Sequence, residues 1–533
     1  MRKIALVVVL LLVSAVEVAA QDWPMFRENL QHAGVSTSGA PNDNTLLWSF
    51  QVGENEHVHS SPAVVNGRVY IGSRNVYHLN WVYCLDENSA EVIWSSQIGG
   101  PMESSPAVVD GKVYIGSLDT KVYCLDARDG NVLWSHESES APVTYSSQVY
   151  SSPAVAEGKV YVGSHDGNVY CLYAENGGLV WKYSIQCYIY SSPAVADGKV
   201  YIASHKAPRA GGMPYMNTIY CLKAENGEFV WKFKTDGNIM SSPAVADRRV
   251  YIGSDDGNVY CFDASTGSKL WSYKTGGSVS SSPAIANGKV YVGSGDSNVY
   301  CLRAEDGSKI WSFPTGSRVH SSPAIADGKV YVGSYDDKLY CLNAENGDLV
   351  WSYQTGNLVH SSPAVADNRV FVGSYDGYLY AFGEPDFAVS VAPESGSVEQ
   401  GGAINTTVKV EIIGSENVEF DTMGAPSGST VDFAPTSGIK TFISTMTIKT
   451  APDTPSGIYD IVIIGTHGDK TRTAGYSLRV GLPEVPQATL FLPLILLLLI
   501  IPILIYWWER RKKKKRRRIL ALGGRPTRSI LRT

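Results

Sequence analysis

Eight positions, each standing immediately before a Ser-Ser-Pro tripeptide, carry the residues of this chain most able to do chemistry: His59, Glu103, Tyr150, Tyr190, Met240, Ser280, His320 and His360. The residue ahead of each is apolar (Val58, Met102, Val149, Ile189, Ile239, Val279, Val319, Val359), so strand alternation turns the variable side chains the other way. Three imidazoles with Glu103 next in line are a donor set for a divalent metal. The same residues also suit a polar binding rim or the plain lining of a wet channel. Sequence spacing does not fix ligand geometry, so no metal and no catalytic residue is assigned. No Ser/His/Asp arrangement stands out, and no glycine-rich loop opens a helix to cradle phosphate.

A second group of candidates sits where the spacing of the chain stretches. The ordinary distance from a Ser-Ser-Pro proline to the next tryptophan is 28 residues, and from that tryptophan to the next proline 12. The first interval lengthens to 32 between Pro62 and Trp94 and to 38 between Pro193 and Trp231; the second lengthens to 19 between Trp134 and Pro153. The additions fall at Arg74–Trp81, His205–Asn217 and Ser135–Tyr150, and they carry Tyr77, His78, Trp81, Tyr145, Met213, Tyr215 and Met216. Aromatic and methionine side chains on loops suit contact with a partner.

These candidates are positioned by a repeat. Ser-Ser-Pro-Ala occurs eight times, at forty-residue intervals where it is cleanest, and eight tryptophans from Trp48 to Trp351 keep step with it. Such a period indicates a radial or solenoidal array. In Ser281–Thr315, short β-rich runs are separated by Asn287-Gly288, Gly295-Asp-Ser-Asn298 and Glu305-Asp-Gly307, the punctuation of four antiparallel strands joined by hairpins. Four strands in each of eight repeats predict an all-β, eight-bladed β-propeller over residues 21–383. Leu46-Leu-Trp-Ser-Phe50 is a fourth strand without its first three, and the last repeat lacks a tryptophan, so the N-terminal strand is expected to close the final blade. Closure makes the last and first blades neighbours and would bring His320, His360 and His59 side by side.

The repeat also gives bland meanings to conspicuous residues. Tryptophans at one equivalent place in every blade pack between sheets, and Gly307 and Gly347, four residues before a tryptophan, are turn residues. Seven cysteines (Cys84, Cys124, Cys171, Cys221, Cys261, Cys301, Cys341) share one blade position that Ala381 fills in the eighth, which reads as small buried hydrophobes rather than disulfides. Cys187 lies outside the pattern and is expected to be a free thiol.

Residues 1–20 read as an export signal, with Arg2-Lys3, an apolar stretch and Val18-Ala-Ala20 before Gln21. Residues 490–508 are nineteen without a charge, long enough to cross a bilayer, and nine consecutive basic residues follow from Arg510. Residues 509–533 hold twelve basic residues and one acid, a net +11, so the rest of the chain stands at −17 against a total of −6. An acidic exterior argues against a nucleic-acid partner for the propeller, and the basic tail suits anionic lipid on the cytoplasmic side. Between repeat and apolar segment, residues 384–482 alternate in short β-rich runs and predict an Ig-like β-sandwich without a cysteine pair, serving as a spacer. Asn405-Thr-Thr407 is its one glycosylation sequon.

The repeat, of which Ala344-Glu-Asn-Gly347 to Trp351 is a clean example, resembles the pyrroloquinoline-quinone-type propeller family. Asp22-Trp-Pro-Met-Phe-Arg27 with His32-Ala-Gly34 is similar to that family's N-terminus, and residues 384–482 to Ig-like modules before the anchors of archaeal-type surface proteins. The resemblance implies either quinone-dependent dehydrogenases or non-catalytic scaffolds such as the propeller of the bacterial outer-membrane assembly machine. The dehydrogenases' adjacent cysteine pair is missing, and the near-constant repeat leaves little room for their long insertions. The expectation is therefore a non-catalytic scaffold on the cell membrane, ectodomain outward, binding a surface or membrane protein and lipid, with no cofactor. The alternatives are a quinone- or metal-dependent oxidoreductase using the channel mouth, and a carbohydrate-binding surface protein.

Overall fold

The computed structural model describes residues 22–75, 80–139, 147–205, 217–413, 417–439, 441–468 and 470–481. The export signal, the apolar segment 490–508 and the basic tail 509–533 lie outside the described residues. Among the described residues the fold is all β, and no helix is long and apolar enough to cross a membrane. The chain clusters into two compact units, with the main break after Phe387.

In the first unit, eight four-stranded antiparallel meanders follow the repeat. One of them runs Ala284–Ala286, Lys289–Gly293, Asn298–Arg303 and Lys309–Pro314. The β-branched and aromatic residues of Lys289-Val-Tyr-Val suit the pleat. Asn287 and Gly288, at φ 50° and 70°, form the mirror-image turn that matches strand twist. The last sheet is composite: Leu46–Gln51 pairs with Tyr378–Gly383, placing Trp48 opposite Ala381 just as Trp311 lies opposite Cys301. The expected N-terminal closure is therefore present. The sheets form the closed ring of a β-propeller.

Neighbouring sheets are joined by a recurring set of contacts. The Tyr291 hydroxyl and Trp311 Nε1 of one sheet both donate to the Ala344 carbonyl of the next, at 3.1 and 3.2 Å. The Trp311 indole also lies over Gly347, which sits at φ 79° and whose added Cβ would come within 2.6 Å of the ring. That glycine therefore serves the next sheet's packing as well as its own turn.

The two serines of each tetrad have separate duties. The first closes its own sheet, as Ser281 Oγ accepts the Gly293 amide at 3.0 Å. The second links sheets: each second-serine amide donates to the hydroxyl of its counterpart in the next sheet, and eight such bonds of 2.9–3.0 Å run from Ser61 round to Ser362 and back to Ser61. This hoop encircles the central channel.

Residues 22–41 run along the inner edge of the ring. Trp23 and Val64 exchange two backbone bonds, and the carbonyls of Pro24, Leu30, Gln31, Ala33 and Gly34 accept the amides of Val108, Val195, Val245, Ile285 and Ile325. The same innermost-strand amide is thus satisfied in six sheets. Arg27 is buried and donates to the Pro283 and Pro323 carbonyls, while His32 Nδ1 meets the Pro243 carbonyl at 3.0 Å. Along an innermost strand the order is variable residue, serine hoop, proline carbonyl and then this segment. The N-terminal segment is a plug beneath the channel.

All eight cysteines are free and buried. The seven repeat thiols are fully buried, and burial pushes Cys84 up to about 11 and the other six to about 12. A thiolate-directed reagent should therefore label none in the native protein over minutes and all eight after denaturation. Rapid native labelling counted by mass spectrometry would contradict this.

The second unit pairs two sheets. One holds Asp386–Ala392, Ala403–Ile413, Phe442–Lys449 and Thr430–Ala434; the other holds Ser395–Val398, Lys470–Val480, Gly457–His467, Val418–Met423 and Ser437–Gly438. Val408, Met446 and Ile448 of the first cluster with Ile461, Ile463 and Leu478 of the second in a common core, as in a β-sandwich. Asn405 is exposed on its strand.

Candidate functional site

All eight variable positions converge on one cavity of about 160 Å³ at the end of the channel opposite the plug. Its wall is the serine hoop, and Phe26 of the plug reaches it from below. His59, Glu103, Tyr150, Tyr190, Met240, Ser280, His320 and His360 therefore form a rim, held in place because each follows the last apolar residue before the innermost strand.

The rim has two aromatic arcs. In one, the His59 and His360 rings lie 4.0 Å apart between centroids, and His360 and His320 6.0 Å apart. Tyr335 stacks on His320 at 4.8 Å, and Tyr375 stacks on His57 at 5.0 Å. In the other, Tyr150 and Tyr190 are 4.7 Å apart, and His165 packs against both at 4.3 and 4.2 Å. Between the arcs, Arg74 Nε lies 2.9 Å from Glu103 Oε1, an ion pair without good hydrogen-bond alignment, and His59 Nε2 lies 3.6 Å from Glu103. Across the opening, the Ser280 hydroxyl donates to Asp255 at 3.2 Å.

Burial holds the rim histidines neutral. It pushes His360 down to about 3, with His320 and Arg74 adding to the effect, and His165 down to about 3, with His205 adding. His59 is held well below its ordinary value by burial, then by His360 and Arg74, and His320 is lowered by burial, then by Arg318. Burial raises Glu103, and Arg74 opposes the rise. The histidines expected to be neighbours are neighbours. Among the described residues no three His, Cys, Asp or Glu groups are arranged to hold a metal ion.

A second variable ring was missed. Arg74, His165, His205, Asp255, Tyr335 and Tyr375 each follow the serine that ends the second strand, and each packs on or bonds to a rim residue. The signal was the same one: a variable residue beside an otherwise constant motif.

Of the insertion candidates, Tyr77, His78, Tyr145, Met213, Tyr215 and Met216 lie outside the described residues. Trp81 is corrected from loop to strand. It sits within Asn80–Asp86, paired with Gln97, and its amide donates to Ser73 Oγ at 2.9 Å. The first insertion ends before Asn80, so the third strand has already begun at Trp81.

A closed ring of four-stranded meanders, tied by tryptophans and plugged at one end, defines the chain's first unit as a β-propeller of the quinoprotein-like kind. The profile of the family described as outer membrane protein assembly factor BamB matches residues 33–208, 215–318 and 295–386, more than half of the chain, and the chain belongs to that family. No curated protein matches it significantly in sequence. Similar solved structures include a europium-containing methanol dehydrogenase, at 16% identity and a TM-score of 0.60, over 68% of this chain and 98% of that one. BamB from Moraxella catarrhalis matches at 21% identity and a TM-score of 0.51, over 64% of this chain and 97% of that one. The computationally designed Ika8 protein matches at 17% identity and a TM-score of 0.53, over 65% and 100%. At these identities the likeness is one of fold.

Some propellers of this kind hold a tricarboxylate quinone. Three carboxylates call for several unpaired cations. Arg74 is already paired with Glu103 and Arg27 is spent on proline carbonyls below the hoop, which leaves the exposed Arg318 beside His320, a single cation where several are needed. The donor set does not fit that group, and no step is derived through it.

Proposed function

We propose that this chain is a membrane-anchored cell-surface protein whose eight-bladed propeller is a non-catalytic binding scaffold, nearer in role to an assembly factor than to a dehydrogenase. On this reading the eight sheets are the blades and the sandwich is an Ig-like spacer. Residues 1–20 direct export, 490–508 cross the membrane, and 509–533 meet anionic lipid at the cytoplasmic face. The partner is a surface or membrane protein, and no cofactor takes part.

One observation carries the reading. The groups that recur in every blade tie the ring together and give the cavity a uniform serine wall, whereas the rim is where the side chains facing the cavity differ from blade to blade. The family and the BamB-like fold neighbour support it; the dehydrogenase neighbour shares the fold without the rim's charge pattern being suited to the quinone.

The test uses the full chain in its source membrane, with a photo-crosslinking amino acid at Met240, a rim residue 39% exposed, and separately at Met423 in the sandwich, 63% exposed. The expected result is one specific protein crosslinked from position 240 and not from 423. Dye-linked oxidation of an alcohol or sugar by the purified chain with added quinone and calcium, abolished by rim substitutions, would overturn the scaffold reading.

A further inference from the structure

We propose that the rim seats a single neutral sugar residue, the pyranose end of a glycan, which rests on the reading of the rim as the binding surface. Size is the first argument. A cavity of ~150 Å³ accepts benzene, so this one, about 160 Å³ and open at its mouth, takes the ring of a pyranose with its outer hydroxyls left at the opening.

Hydrogen-bonding capacity is the second. Each hoop hydroxyl accepts one backbone amide, and among the described residues none gives its own hydrogen to a protein acceptor. The cavity wall thus offers a circle of spare O–H donors that retain acceptor lone pairs. Behind that wall, His165 packs against Tyr150 and Tyr190 and has a buried Nε2 without a hydrogen-bond partner. Sugar hydroxyls, which both donate and accept, match such a wall better than a group that only accepts or only donates.

The aromatic arcs supply the third argument. Tyr150 with Tyr190 on one side, and His59 with His360 on the other, present ring surfaces to the opening. A pyranose has an apolar C–H face for such a surface and a hydroxyl edge for the Arg74–Glu103 pair, whose guanidinium donates and carboxylate accepts. Charge excludes the competitors. A strongly anionic or cationic ligand would have to break that ion pair and leave one member uncompensated.

The test is saturation-transfer NMR and calorimetry on the full chain in a non-glycosidic detergent. The probes are the methyl glycosides of glucose, galactose, mannose and N-acetylglucosamine. At least one should bind saturably. Tyr190→Ala should weaken it by at least about tenfold, an ordinary effect of removing an aromatic platform with its polar handle. Tyr173→Ala, at an exposed residue away from the rim, should leave binding unchanged. Should Tyr190→Ala fail to fold, Glu103→Gln, checked for an unchanged melting curve, should still change affinity or the order of preference among the glycosides. No binding by any glycoside, or binding indifferent to Tyr190 and Glu103, overturns the sugar site. If the crosslink from position 240 persists in that case, the scaffold reading survives; if it too is absent, the rim reading falls.

Discussion

Acidifying the protein from pH 7 to pH 4 should lower its denaturation midpoint steeply, and His32→Gln should remove a large part of that dependence. His32 is almost fully buried in the plug, and burial pushes its pKa down to about 3, with Arg27 adding and its bond to the Pro243 carbonyl opposing. In the unfolded chain it titrates near 6.5. Below that value the unfolded state takes up a proton that the folded state refuses. Its contribution to stability is therefore whole above about pH 6.5 and drains away as pH falls toward 3. At about 1.4 kcal/mol per pH unit for one such group, the loss by pH 4 is on the order of 3 kcal/mol. His165 and His360 behave in the same sense. Glu28 and Glu87, both raised by burial to about 7, work the other way and blunt the slope above pH 4.5. Midpoints in guanidinium chloride across the range, for the native chain and His32→Gln, measure the difference. Parallel curves would show that His32 is not the proton sink.

The second large effect is expected where the last sheet meets the first. Arg369 and Glu87 form the most deeply buried ion pair among the described residues, at 3.1 Å with side chains 11% and 3% exposed. Glu87 occupies the place that alanine holds in other sheets: its carbonyl accepts Trp48 Nε1 at 2.9 Å, just as Ala344 accepts Trp311. Arg369→Ala strands the carboxylate, but protonation is open to it, so the charge-dependent loss at pH 8 should be about 1.4 kcal/mol for the one pH unit above 7. The carboxyl is already raised to about 7, so by pH 5 it is neutral in either protein and the penalty should shrink. A loss equal at both pH values would mean that packing, not charge, is what Arg369 supplies.

Much of this was written in the repeat. The four strands, the shared cysteine and tryptophan places, Ala381 as the eighth cysteine equivalent and the closing role of Trp48 all follow from period and alternation. The β-rich runs of residues 384–482 correspond to the five longest strands of the second unit, whereas Ser395–Val398, Val418–Met423, Thr430–Ala434 and Ser437–Gly438 are short or weakly alternating and leave little mark in the sequence. The serines lie outside the first strand, which spans only Ala284–Ala286 in the repeat from Ser281, and their part in the hoop is not legible in the repeat. Side-chain bonds between sheets leave no periodic mark that distinguishes them from ladder residues. The plug was equally opaque, because Asp22 to Pro41 has no strand pattern; its shape is dictated by amides on sheets far along the chain. At the rim, sequence placed the residues in order round the ring, but only the fold shows Arg74 and Asp255 facing them.

The plug has a consequence for how the protein comes into being. Residues 22–51 precede the sheets they serve, and their contacts include Ser38 Oγ with Asn368, 330 positions away, and Trp48 with Ala381. Six of the eight sheets offer an inner amide whose acceptor lies in this segment, from Val64 near it in the chain to Ile325 far along. The segment is therefore fastened at both ends of the chain's span: Trp23 needs only Val64, whereas Ser38 and Trp48 lack these distant partners until Asn368 and Ala381 are in place.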